Sequence, residues 1–323
     1  MTTVLPDSSA SNVEAGEVHR GKTGDRIFYW LALGMAISVV VLIALIGWEL
    51  FANSRLTREK FGFHFFVSSE WNPVEEKYGA LPFIYGTLVS SAIGLLIAVP
   101  LSIATALYLT EMAPRWIAGP LGLTVELLAA VPSVILGLWG IFVMVPFLRE
   151  FPFEWLHSAF GFLPLFKGPI YGVSMLAGGI IVAIMIVPII TSIAREVFSA
   201  VPNAQREAAY ALGATRWEVI RLAVLGHSRR GLFGAAVLGL GRALGETMAI
   251  TMVIGNRPEV ATSLFAPAYT LASVIANEFA EATTDMYLHA LFEVGLALLG
   301  VTVVVNAAAQ LLLKSMGGSV SRH

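Results

Sequence analysis

Six long apolar segments constrain the fold of this chain more than any other feature of its sequence. About 20 consecutive, mostly apolar residues are needed for a helix to cross the hydrocarbon core of a bilayer. Inside that core a helix satisfies its own backbone N–H and C=O groups, whereas an irregular segment exposed to lipid does not. We therefore predict an all-α integral membrane protein with six transmembrane helices, at residues 27–51, 83–110, 119–148, 170–195, 231–255 and 288–313.

The composition of the 323 residues agrees with this fold class and excludes several others. Charged residues make up 13% of the chain, whereas soluble globular domains contain about 25%. A net charge of −2 gives no basic surface for nucleic acid. The chain has no cysteine, and its six histidines show no metal-ligand spacing. We therefore expect no metal, no bound cofactor and no catalytic residue in this chain.

The distribution of Lys and Arg predicts the orientation. With the N-terminus inside, twelve of the 20 Lys and Arg residues fall on the cytoplasmic side and seven on the outside, and cytoplasmic loops carry such an excess. The loop at 196–230 holds the densest charge. We expect both termini in the cytoplasm, a polar and disordered tail at 1–26, a first span with its external loop at 27–82, and a short tail at 314–323.

One motif in the N-terminal tail is interpreted as a coincidence. Residues 16–23, Gly-Glu-Val-His-Arg-Gly-Lys-Thr, match the phosphate-loop pattern of ATP-binding proteins. That loop binds phosphate only where it joins a buried strand to the N-terminus of a helix. Here a polar tail precedes the motif and a transmembrane helix follows it, so we predict that this chain does not bind ATP.

The 196–230 loop predicts a helix, a turn and a second helix. Asn203 is the predicted cap of the first helix, which ends before Gly213. Thr215 and Glu218 have the spacing of a capping box, which begins a second short helix that reaches about Val224. Helices this short are unstable alone, so they need a surface to pack on. That surface is either a cytoplasmic partner protein or the lipid headgroups.

Several motifs in and around this loop resemble the permeases of ABC importers. Glu207-Ala208-Ala209, followed by Gly213, resembles the loop that those permeases insert into their ATPase subunits, although the Ile-x-Leu-Pro that follows in the family is here Ala223-Val224-Leu225-Gly226. More specific segments resemble the permeases of phosphate-specific importers, and the first two of them favour one of the two paralogous permease types. These segments are 71–73, 78–82, 128–134, 206–218, 239–248 and 254–256.

The resemblance implies a function and a set of partners. It implies a permease core at 83–313 that forms half of the translocation path for inorganic phosphate in a bacterial cytoplasmic membrane. It implies a homologous permease subunit as partner and an external phosphate-binding protein. It also implies two ATPase subunits that bind ATP and Mg²⁺ and dock on the loops of the two permeases, which in this chain means Glu207, Ala208, Ala209 and Gly213. Membrane lipid surrounds the chain, and hydrolysis takes place in the ATPases.

Arg242 and Glu246 place two charges within the fifth predicted span. Arg242 lies about 15 Å into that span at 1.5 Å per residue, and the i, i+4 spacing puts Glu246 on the same helical face. A charge at this depth costs at least about 2.5–3.5 kcal/mol. The pair is either a buried salt bridge that fixes helix packing or a cation in the path of an oxyanion, oriented by the glutamate. Gly239, Gly241 and Gly245 allow close approach of a neighbouring helix.

Prolines lie within several predicted spans, at Pro100, Pro132, Pro146 and Pro188. They are either ordinary kinks or helix breaks that open a polar cavity, and Pro132-Ser133 is the place where we expect such a cavity. The Ser133 hydroxyl is a candidate donor to the transported anion, or it bonds to its own helix. Glu126 and Glu293 lie near the ends of their spans, where snorkelling explains them without a functional role.

Three other functions are compatible with parts of the sequence. The first is an ABC permease for another oxyanion, such as molybdate or sulfate. An ion-coupled secondary carrier predicts an inverted internal repeat with paired broken helices, and no convincing second copy is evident. A membrane scaffold without transport would leave Arg242 unexplained.

Overall fold

A computed structural model of the chain describes residues 14–315, with side chains from residue 24 onward. Apart from two isolated β-bridges, the regular structure of this part of the chain is helical, which confirms the predicted fold class. Its α-helices are α1 (Glu14–Asn53), α2 (Arg55–Phe61), α3 (His64–Val67), α4 (Leu81–Leu107), α5 (Arg115–Ala129), α6 (Ser133–Trp139), α7 (Val145–Glu150), α8 (Pro152–Phe160), α9 (Met175–Ser199), α10 (Asn203–Ala211), α11 (Arg216–Val219), α12 (Leu225–Leu244), α13 (Met248–Ile254), α14 (Leu271–Glu278) and α15 (Asp285–Ser315).

Within residues 14–315, six helical segments are long and apolar enough to cross a membrane when one bent pair of helices is counted as a single span. Five are continuous apolar helices, and the sixth joins Arg216–Leu244 to Met248–Ile254 across a bend of 67°. The number of predicted spans is therefore confirmed, and the ends of most of them agree with the prediction to within a few residues. The third span lies further along the chain than predicted, and the fifth is bent rather than straight.

The described residues up to Ala52 form one compact unit, and those from Asn53 onward form a second. In the first unit α1 begins at Glu14, so residues 14–26 of the predicted tail have a helical backbone. Extending an existing helix costs far less than nucleating one, and the polar stretch therefore continues the span. The phosphate-loop match at 16–23 has a helical backbone and forms no loop. The rest of the predicted tail, residues 1–13, lies outside the described residues, as does 316–323.

Helices α4 and α9 form the centre of the second unit. Gly94 of α4 lies so close to α9 that a Cβ atom placed on it would be 2.8 Å from Cγ1 of Val182. The Ser102 hydroxyl of α4 donates a hydrogen bond of 3.1 Å to the carbonyl of Val187 in α9. Small residues at such contacts let helices approach closely enough for dispersion forces to hold them together in lipid. Pro100 and Pro188 lie inside these helices without breaking them.

The predicted third span is divided in two. Helix α5 ends at Ala129, Pro132 has an extended backbone, and α6 begins at Ser133. Proline lacks the N–H that a continuous helix needs, and it disfavours helical geometry at the residue before it. The prediction of a continuous helix over 119–148 is therefore wrong, and the crossing runs instead over Ser133–Phe160. Of the four prolines, Pro132 is the one at which a predicted span is broken. Pro146 lies in the first turn of α7.

The predicted fifth span is also broken, at Gly245, Glu246 and Thr247. Upstream of the break, α11 continues through a π-helical turn at Ile220–Val224 into α12, so one uninterrupted rod runs from Arg216 to Leu244. The prediction that the second helix of the 196–230 loop ends near Val224 is therefore wrong. Gly231 and Gly239 lie against α9, because Cβ atoms placed on them would be 2.6 Å from Val197 and from Ile190.

A second group of buried aromatic residues joins the start of α4 to α14 and α15. The Trp71 and Tyr78 rings are 5.0 Å apart, and both lie against Tyr287. The Glu278 carboxylate accepts hydrogen bonds from the Trp71 indole at 2.8 Å and from the Tyr287 hydroxyl at 2.6 Å. Burial raises the pKa of the Tyr78 phenol. The 71–73 and 78–82 segments thus help to close one end of the helix bundle.

The close contact between α12 and α9 generates a prediction about Gly239. We expect Gly239→Leu to destabilise the chain by about 1–3 kcal/mol, because the added side chain has to displace the buried Ile190. A lowered midpoint of thermal unfolding in detergent, followed by fluorescence-detected size exclusion, would show this.

The matched control is Gly234→Leu in the same helix, since a Cβ atom at position 234 meets nothing within 4 Å. Equal midpoints for the two variants would contradict the close packing of Gly239.

Candidate functional site

Arg242 lies in the last turn of α12, immediately before the break. Its side chain is 49% exposed, and its Nη2 is 3.5 Å from Oε2 of Glu246, whose side chain is 4% exposed. This distance is longer than the roughly 2.7–2.9 Å of a tight charge-assisted hydrogen bond. The Arg242 guanidinium is thus partly exposed, and its ion pair with the Glu246 carboxylate is loose.

Glu246 lies in the break rather than one turn further along a continuous helix, as the sequence had predicted. Its Oε1 accepts a hydrogen bond of 3.2 Å from the backbone N–H of Ala249, in the first turn of α13. A carboxylate in this position satisfies a helix N–H that lacks an internal partner and interacts favourably with the helix dipole. Glu246 therefore sets the start of α13 and the position of the negative charge beside Arg242 at the same time.

Ser133 is half-buried at the start of α6, a helix that packs on α13. Cβ atoms placed on Gly137 and Gly140 would lie 2.6 Å from the Met252 sulfur and 2.9 Å from Cγ1 of Val253, so the two helices run parallel. The crossing that begins at Ser133 thus runs alongside α13, the half of the fifth span that follows Glu246.

The three glycines predicted to allow close helix approach behave differently from one another. Gly239 is in tight contact with α9, whereas the nearest atom to a Cβ on Gly241 or on Gly245 would be 3.9 Å away. Leu238, one turn before Arg242, is 60% exposed, and Met248, just after the break, is 44% exposed. Arg242 therefore emerges from a surface of exposed apolar side chains and small residues.

The 196–230 loop has the predicted helix, glycine turn and helix. Gly213 has a φ of +82°, which glycine adopts without strain, and the capping box between Thr215 and Glu218 is present in full. Asn203 is not the cap, because α10 begins at Asn203 with Pro202 in the capping position. In α10, Glu207 and Ala208 are exposed and Ala209 is half-buried, so much of the helix surface is open to a partner.

Two glutamates that sequence reasoning set aside have defined surroundings. Glu126 of α5 pairs with Arg195 of α9 at 3.3 Å. Glu293 of α15 is fully buried with neither carboxylate oxygen hydrogen-bonded, and it interacts electrostatically with Arg58 of α2, so snorkelling does not describe it. Among the residues that the structure describes, no group of three or more His, Asp or Glu side chains is arranged to hold a metal ion.

Comparison with known proteins identifies the family. The sequence profile of the binding-protein-dependent transport system inner membrane component matches residues 98–318. This chain belongs to that family. Its members are transport subunits rather than enzymes, and they work together with other subunits. The chain is accordingly a multi-pass membrane subunit of an ABC transporter.

Three individual relatives show which members of the family this chain resembles. The chain is 48% identical to the phosphate transport system permease protein PstC of Mesorhizobium japonicum, over 92% of both chains. It is 43% identical to PstC of Xylella fastidiosa strain 9a5c over 97% of both chains, and 45% identical to PstC of Haemophilus influenzae over 87% of this chain and 90% of that one. These relatives match nearly the whole length of the chain.

A solved structure supports the fold at lower sequence identity. A chain of the MetNI methionine ABC transporter, in an inward-facing conformation, superposes with a TM-score of 0.50 and 17% identity. The match covers 73% of this chain and 94% of that one. The similarity concerns the arrangement of the helices alone.

The hydrogen bond from Ala249 to Glu246 generates a stability prediction. Glu246→Ala leaves the α13 N–H without its acceptor and is expected to destabilise the chain by about 1–3 kcal/mol. Glu246→Gln keeps an oxygen acceptor and is expected to lose less than half of that. The midpoints of thermal unfolding of the purified variants would measure both effects, and an equal loss in the two would show that the contact with Ala249 contributes nothing.

Proposed function

We propose that this chain is the transmembrane permease subunit of an ATP-driven, binding-protein-dependent importer of inorganic phosphate. The observation that carries the proposal is the half-exposed Arg242 guanidinium at a helix break within the membrane. Near-full-length similarity to three phosphate transport system permeases supports the same substrate. An ion-coupled carrier and an inert scaffold are both disfavoured by the family of the chain.

In this proposal Arg242 is the cation that the passing anion meets. A guanidinium offers several N–H donors in a plane and stays charged at any pH that a cell reaches. Isolated in hydrocarbon it would be costly, and it would hold a phosphate in a tight bidentate complex. The Glu246 carboxylate at 3.5 Å offsets part of both effects, so phosphate is attracted to the site and is then released. The Ser133 hydroxyl donates to the same anion.

The Glu246 carboxylate also makes the site bind phosphate in preference to sulfate. Near neutral pH phosphate retains at least one proton, which it donates to a carboxylate oxygen, whereas sulfate has none. A carboxylate beside the anion therefore repels sulfate without a compensating hydrogen bond, and such unpaired contacts discriminate strongly between similar ligands. This argument favours phosphate over molybdate in the same way.

The remaining partners are assigned from the exposed surfaces. A homologous permease subunit covers the face that carries Leu238 and Arg242, and the translocation path lies between the two subunits. Two ATPase subunits, which bind ATP and Mg²⁺, dock on the corresponding loops of the two permeases. In this chain the contact is made by α10 through Glu207, Ala208 and Ala209, with Gly213 shaping the turn behind them. An external phosphate-binding protein delivers the substrate. The complex lies in the bacterial cytoplasmic membrane with both termini of this chain in the cytoplasm.

The geometry suggests how ATP hydrolysis changes access to the site. The ATPases move α10, and α11 and α12 form an unbroken helical connection from that region to Arg242. Because α12 ends at the break, a movement of its last turn relative to α13 changes the surroundings of Arg242. Access alternates between outside and inside without disrupting the packing of α13 on α6.

A substitution of Arg242 tests the proposed path. In the complete transporter reconstituted in vesicles, Arg242→Gln is expected to lower phosphate uptake on the order of 10- to 100-fold, the equivalent of one or two hydrogen bonds to a charged group. Subunit stoichiometry on size exclusion should be unchanged. Loss of the assembled complex, or uptake at the wild-type rate, would count against a place in the path.

The matched control is Arg257→Gln, which removes another partly exposed Arg–Glu pair, with Glu259 at 3.3 Å. It should leave uptake unchanged. Substrate identity is measured separately, as stimulation of ATP turnover by phosphate with arsenate, sulfate and molybdate as competitors. Stimulation by sulfate or molybdate in preference to phosphate would contradict the proposed substrate.

A further inference from the structure

Arg206, the residue before Glu207-Ala208-Ala209, turns inward from α10. Its side chain is 18% exposed, whereas the other polar side chains of the helix, at Asn203, Gln205 and Glu207, are exposed. A long charged side chain that leaves solvent from a short surface helix has to find acceptors for its N–H groups. Its contacts therefore show what α10 is attached to.

The guanidinium of Arg206 binds the end of α9. Its Nη1 donates to the Val201 carbonyl at 2.6 Å and to Oδ1 of Asn203 at 3.2 Å, and its Nη2 donates to the Phe198 carbonyl at 2.9 Å. The last carbonyls of a helix lack helical donors, and a cation beside them is favoured by the helix dipole. Arg206 thus fastens α10 to the C-terminal end of α9.

The same guanidinium reaches a second span through Glu111. Nη2 of Arg206 is 2.8 Å from Oε1 of Glu111, and both side chains are largely buried. Glu111 belongs to the π-helical turn Tyr108–Met112, which ends the crossing that α4 begins. In addition, the backbone carbonyl of Glu111 accepts a hydrogen bond from Nη2 of Arg216, the first residue of α11. One residue at the end of the second span therefore binds both helices that flank Gly213.

These contacts connect α10 with the spans of α4 and α9, which lie outside the continuous rod of α11 and α12. We propose that Glu111 and Arg206 are a positioning pair that transmits movement of α10 to α4 and α9 together. The tight packing of α4 on α9 at Gly94 and Ser102 makes these two helices respond as one body. The inference rests on the proposed function, because it requires that ATPase subunits move α10.

The decisive variant is Glu111→Gln, which keeps the size of the side chain and removes its charge. In the complete complex with the binding protein, we expect the number of phosphate ions imported per ATP hydrolysed to fall at least about fivefold, the lower end of typical couplings between sites. ATP turnover and subunit stoichiometry should stay within about twofold of wild type. A purely structural role would lower the amount of complex, and with it both activities, without changing this ratio.

The matched control is Glu126→Gln. It removes another glutamate–arginine contact to α9, with Arg195, that involves neither α10 nor α11. The ratio of import to hydrolysis should stay at the wild-type value in this variant. A wild-type ratio in Glu111→Gln, or an equal fall in both variants, would overturn the inference.

A second variant decides the question if Glu111→Gln does not assemble. Arg206→Lys keeps the charge but replaces the planar fork with a single ammonium, which cannot serve the α9 carbonyls and Glu111 in the same geometry. A lowered ratio in assembled Arg206→Lys complex supports the inference, and a wild-type ratio or a failure to assemble contradicts it. The wild-type complex provides the separate test of function: if it imports no phosphate, the proposed function fails independently of this ratio.

Discussion

The cost of unpaired backbone groups in a membrane is the constraint on which the candidate site depends. One of the six spans is interrupted, at 245–247, and another crossing begins at Ser133, directly after the helix end at 130–132. Irregular backbone at such a depth is tolerated only where protein buries it or where it lines a polar cavity. Here the hydrogen bond from Ala249 to Glu246 satisfies one backbone N–H at the interruption, and α6 packs over the start of α13 at Gly137. The charge beside Arg242 is thus a consequence of how the backbone is satisfied.

Apolar length and helix-end chemistry were sufficient to predict much of the fold. Six crossings follow from six long runs, because length and composition decide whether a helix spans a bilayer. The turn at Gly213 and the capping box of Thr215 and Glu218 were equally predictable, since both depend on residues within one helical turn. The same local rules placed Arg242 and Glu246 close together.

Features that depend on contacts between distant residues were not predictable in this way. The break at 245–247 lies in an apolar run, and hydropathy reports composition rather than backbone geometry. Glu126 and Arg195 are 69 residues apart in sequence, and Glu111 and Arg206 are 95 apart, so no periodicity signals either pair. Pro132 was visible in the sequence, but whether it kinks the helix or ends it depends on the helices packed around it.

The uninterrupted helix from Arg216 to Leu244 has a mechanical consequence. It touches α9 at Gly231 and again at Gly239, which is three residues before Arg242. Because both contacts are tight, a sideways push on the Arg216 end of the helix cannot pivot the Arg242 end freely about Gly231. The push instead carries α9 along with the helix, so the guanidinium and α9 shift as one piece.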